Sequence, residues 1–167
     1  MNTTATALQP NTKVGETLGT RLTVAHDNWM ADGDRFLLPV ADANATFWER
    51  WAAVRYVDDQ LLHRFDLERA LLKELHAFLA PEMNERLWMQ TDRLTRLLET
   101  FGRLGRQRES ARELARTTHT ILEALRLWYA EIELAASGIR WSDLSREGIR
   151  LLGELHPARC GWADAHG

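Results

Sequence analysis

Residues 46–79 read TFWERWAAVRYVDDQLLHRFDLERALLKELHAFL, and this stretch decides the fold. Thr46 and Glu49 have the spacing of a capping box, in which a hydroxyl and a carboxylate each satisfy a backbone N–H of the first helical turn. Apolar residues then recur at gaps of three and four: Phe47, Trp51, Val54, Leu61, Phe65, Leu72, Leu75, Leu79. That period belongs to a helix with one buried face, and it predicts a helix from Thr46 to about Leu79, ended by Pro81.

The same rhythm extends in both directions. Pro81 suits a first helical turn, and Leu87, Thr91, Leu94, Leu98 and Phe101 continue the stripe to Gly102 and Gly105. A second capping-box spacing at Ser110 and Glu113 opens the series Leu114, Thr118, Ile121, Leu125, Trp128, Ile132, Ala135, which leads to Gly138. A shorter helix is expected after Ser142 or Asp143, carrying Leu144, Ile149, Leu151, Leu152 and Leu155 before Pro157. Upstream, Leu18, Leu22, Ala25 and Trp29 predict a helix from about Thr17 to Met30, with Ala31-Asp32-Gly33-Asp34 as its breaker. No β-alternation competes. The expected fold is all-α, an up-and-down bundle of three long and one or two shorter helices over residues 17–155. Residues 1–16 read as a flexible N-terminal tail and 156–167 as a C-terminal tail.

Bulk properties narrow the function classes. A chain of 167 residues can bury a sizeable core without metal or disulfide. Its net charge of -3 argues against nucleic acid as a partner, and charges interrupt every apolar run, so no transmembrane segment is expected. The polar tail lacks the pattern of a signal peptide, and the single Cys160 forms no internal disulfide, which together suggest a cytoplasmic protein. The basic groups are nearly all Arg. No motif for nucleophilic catalysis or phosphate binding occurs, so an enzyme is not expected.

The informative residues are polar ones on the apolar rows. Asp58 and Glu68 share the stripe of Trp51, Leu61, Phe65 and Leu72, Glu131 lies between Leu127 and Leu134, and His119 shares a row with Ala115 and Leu122. A buried carboxylate needs a cation, hydrogen bonds or a metal, so each either pairs with an Arg or sits at the bundle's edge, or else contributes to a polar or metal-binding site in the core. His119 with Glu123, and Asp59 with His63, are four apart on a helix face. The metal candidates are therefore Glu68, Glu131, Asp58, His119 and His63. Near the C-terminus His156, Cys160 and His166 are ligand types, though a zinc site wants a fourth.

Arg64-Phe65-Asp66-Leu67-Glu68-Arg69-Ala70-Leu71-Leu72 resembles the His-Phe-x-x-Glu-x-x-Leu-Leu motif of hemerythrin-like helical domains, with Arg64 where that family has an iron-binding His. Leu127 to Leu134 resembles its second occurrence, with Leu127 in the His position. The resemblance implies Glu68 and Glu131 as carboxylate ligands and His26 as the first-helix His, with iron or another divalent metal as the cofactor. It also implies a His-x-x-x-His pair on the intervening helix, yet no His occurs between His76 and His119. The family's di-iron centre and its oxygen binding are not carried over.

Seven Trp residues complete the picture. Trp48, Trp51, Trp88 and Trp128 lie on or beside the stripes, where aromatics serve as core or as anchors of an interface. Trp48 and Trp88, with Arg103 and Arg106 of the Arg-rich stretch 93–116, are the interface candidates. The expected function is that of a non-catalytic bundle acting through a protein partner or self-association, with no cofactor. The alternative is a hemerythrin-like domain holding a metal or small ligand in its core.

Overall fold

The computed structural model describes residues 17–107 and 110–155, and His156, Cys160, His166 and the two expected tails lie outside them. The described residues form an all-α bundle: α1 Leu18–Leu37, α2 Phe47–Tyr56, α3 Leu62–Leu75, α4 Pro81–Gly105, α5 Ala111–Ala135 and α6 Arg146–Leu155. Among them, no helix is long and apolar enough to cross a membrane.

Helix α5 is the spine. It packs along α4 and α1, while α6 lies on α3. The fully buried Trp128 sits at its centre, with Phe65 at a ring distance of 5.1 Å, and its indole N–H donates to Thr91 Oγ1 at 3.1 Å. The two hydroxyls that interrupt the stripes are thereby explained: Thr91 and Thr118 each donate to the carbonyl four residues back, at 2.7 Å, so neither is an unsatisfied polar group in the core.

Several expectations were right in kind and off in detail. The capping box at Thr46 forms, with both reciprocal bonds present. The one expected at Ser110 does not: its backbone, at φ -110° and ψ 23°, lacks the extended N-cap conformation, and its hydroxyl donates to Gln107 instead. Helix α1 does not break at Ala31-Asp34 but runs to Leu37, where the 3-10 turn Leu38–Ala41 with Pro39 takes over. Gly33 is buried inside α1, and tertiary packing outweighs its cost of about 1 kcal/mol.

The largest departure lies in residues 46–79. α2 and α3 are joined without a loop by a π turn, Val57–Leu61, in which the N–H of Leu62 reaches back to the carbonyl of Val57. Such a turn inserts one residue into the helical ladder, and one residue is about 100° of rotation. Val57 and Leu61 stay buried on either side of the insertion, while Asp58 and Asp59 face out. The stripe read straight through from Trp51 to Leu72 therefore belongs to two faces. Regular helix then ends at Leu75, followed by the 3-10 turn His76–Phe78.

Candidate functional site

Among the described residues, a polar network in the interior of the bundle is centred on His26. Its place is set by Gly19, two turns earlier, where α1 crosses the end of α5: a Cβ there would stand 2.7 Å from the carbonyl oxygen of Glu133. The contact is reinforced by Leu18 N–H donating to Ile139 O at 2.6 Å and Gly19 N–H donating to Ala136 O at 3.1 Å. With the two helices this close, Thr23 and His26 both reach the Glu133 carboxylate, at 3.0 and 2.6 Å. The other ring nitrogen of His26 is bonded to Glu68 on α3. Tyr129 stacks on the imidazole at 4.1 Å between centroids.

His26 is thus a buried group bridging carboxylates from two other helices. Burial alone would pull its pKa down, but the charges of Glu68 and Glu133 and their hydrogen bonds prevail and push it up to about 9. The imidazolium donates at both nitrogens. Glu133 titrates below the ordinary carboxylate range: its partial burial acts the other way, and the bonds from His26 and Thr23 outweigh it. A second buried cation, Arg64, stands one helical turn before Glu68, donates to Asp32 at 2.9 Å and lies over Trp29. Tyr56 and Tyr129 are both pushed up by burial, Tyr56 to about 12.

These residues do not fit an iron centre. Both His26 nitrogens are taken up by carboxylates, and the Arg64 guanidinium stands where the resemblance would require a neutral His donor. Nor are the five metal candidates brought together. Glu68 is buried against His26, Glu131 sits at the bundle's edge paired with Arg86 at 2.8 Å, Asp58 is turned outward by the π turn and paired with Arg106 at 2.6 Å, and His63 and His119 are exposed. Among the described residues, no group of three or more His, Cys, Asp or Glu is arranged to hold a metal ion. Glu133 was missed because the resemblance aligned Glu131. The signal was there in the row Leu122, Leu125, Tyr129, Ile132, Ala136, buried on the α1 side, which Glu133 borders.

The surface carries a different kind of feature. Between the start of α2 and the end of α4 lies a groove of about 780 Å³, with Ala45, Phe47, Trp51, Val54 and Gly105 as its apolar wall. Arg50, Arg55, Asp58, Arg106 and Gln107 complete the lining. Phe47, Trp48 and Trp51 stand exposed at 68%, 71% and 49%, with Trp48 in edge-to-face contact with each of the other two. Of the interface candidates, Trp48 and Arg106 are here, Arg103 is exposed on the same end of α4, and Trp88 is half-buried against the core.

Compared with known protein families, with characterised proteins and with solved structures, the chain matches none.

Proposed function

We propose that the protein is a non-catalytic helical bundle that acts by binding another protein through the end formed by α2 and the C-terminus of α4. The observation that carries this reading is the exposed trio Phe47, Trp48 and Trp51 beside the groove. These rings leave on the order of 300–400 Å² of aromatic surface in water, about the size of the largest apolar patch on an ordinary monomer. Aromatic and Arg side chains around a concavity are the composition of interface hot spots. The π turn adjoining the groove supports the same location, since such turns occur frequently at functional sites.

The polar interior supports the reading by tying the scaffold together: His26 bonds carboxylates of α3 and α5 and so links α1, α3 and α5.

The test is site-directed photo-cross-linking in the native host, with the reactive amino acid at position 48 and, as a control, at the exposed position 130. A discrete protein adduct from 48 and none from 130 is expected. A monomer by light scattering that yields no adduct from position 48 overturns the proposal.

A further inference from the structure

We propose that the interior of the bundle binds water at a fixed site between the guanidinium of Arg64, the carboxylate of Glu68 and the hydroxyl of Tyr56. This site is separate from the groove and does not depend on what the groove binds.

Arg64 and Glu68 carry opposite charges, stand one helical turn apart on α3 and are 3% and 0% exposed. Such a pair ordinarily closes on itself, because residues four apart share a helix face and the attraction is strong away from water. Among the described residues, however, no ion pair joins the two, since each is drawn aside by another partner. Arg64 donates through Nη2 to Asp32 at 2.9 Å and lies over the ring of Trp29, whereas Glu68 is bonded through Oε1 to His26. Arg64 Nη1 and Glu68 Oε2 are thereby left buried with no protein group bonded to them. The Tyr56 hydroxyl is in the same state. Its ring is buried and held by stacking on Phe36, 4.9 Å between centroids. Electrostatics place the three groups in one neighbourhood: Arg64 pulls the Tyr56 hydroxyl down against the larger effect of burial, and Tyr129, stacked on His26, feels Glu68, Tyr56 and Arg64 together.

Buried polar atoms are nearly always bonded, to protein or to ordered water. The chemistry of these three narrows the guest. Arg64 Nη1 only donates, the ionised Glu68 Oε2 only accepts, and the Tyr56 hydroxyl does either. A cation would face the guanidinium and an anion would face Glu68, each bringing a further charge into a dry interior. A neutral guest that both donates and accepts meets all three, and a buried water typically makes about three hydrogen bonds. Water here completes a polar chain from Asp32 through Arg64, Glu68 and His26 to Glu133. Its two end carboxylates are the part-exposed members, at 27% and 24%.

The experiment has a crystallographic and a solution arm. A high-resolution crystal structure of the full chain is expected to show a water at about 2.7–3.2 Å from at least two of the three atoms. In solution, oxygen-17 relaxation dispersion counts the waters held for longer than the protein takes to tumble. That count should fall in Glu68→Met, which removes the acceptor and fills its space, and in Tyr56→Phe, which removes only the hydroxyl; circular dichroism checks that each variant folds, and Tyr56→Phe decides alone if Glu68→Met does not. Direct closure of Arg64 Nη1 on Glu68 or on the Tyr56 hydroxyl in the crystal overturns the proposal, as does a site without water density. A water count equal to that of the wild type in the folded variants overturns it as well.

Discussion

Raising the pH should loosen this fold well before any surface group could account for it, because the charge on His26 is part of its structure. The imidazole titrates at about 9 in the folded chain and near its ordinary value of 6.5 when unfolded. A group whose folded pKa is raised stabilises fully below the unfolded value and loses its contribution as pH climbs through the folded one. The window is therefore pH 6.5 to 9, with a slope of about 1.4 kcal/mol per pH unit and a total loss of about 3 kcal/mol. For a domain of this size that is a fall in Tm of roughly 6–12 °C. Urea unfolding followed by the fluorescence of the buried Trp29 and Trp128, at intervals from pH 6 to 10, measures it directly. Proton NMR of the imidazole gives the pKa itself, and His26→Gln should flatten the stability profile over the same window. A wild-type midpoint that is unchanged between pH 6 and 9.5, or an equal slope in His26→Gln, would refute the argument. On the acid side, Glu133 contributes in the opposite sense: its share is present above 4.5 and is lost as pH falls through its lowered folded value.

Other perturbations isolate single contacts. Gly19→Ala forces a methyl to 2.7 Å from the Glu133 carbonyl, and the resulting separation of α1 from α5 should cost about 1–3 kcal/mol in urea denaturation. Thr91→Val removes the acceptor of the buried Trp128 N–H and should cost about 1–3 kcal/mol. Thr118→Val, whose hydroxyl only bonds back along its own helix, should cost clearly less by the same assay. Thr46→Ala removes a formed capping box and should lower stability by about 1 kcal/mol, read as a shift in Tm, whereas Trp48→Ala, at an exposed site, should leave Tm nearly unchanged.

The bundle was legible in the sequence because its signals are local. Pro81 at the start of α4, the Thr46 box and the 3.6-residue rows of α4 and α5 specify those helices within a few residues of where they lie. What escaped were relations between distant segments. The bond from His26 to Glu133 spans 107 positions and depends on the close crossing at Gly19, which no periodicity encodes. Gly33 read as a breaker because propensity is blind to the packing that overrides it. The groove is obscured for a related reason: Phe47 and Trp51 fit the apolar stripe of a helix with one buried face, although α2 leaves both in water. Asp58 was assigned to the interior by a count that assumed uninterrupted α-helix.

The π turn Val57–Leu61 gives that miscount a wider meaning. Upstream of it the helix presents Phe47 and Trp51 to the outside, and downstream it presents Arg64 and Glu68 to the inside. One surplus residue works as a phase shifter between the two surfaces. Deleting Gln60 would restore an ordinary helical ladder and swing one half by about 100° against the other, so that the groove and the ionic interior could no longer both be in register. A related chain shorter by one position here would therefore differ in the direction in which half its side chains point.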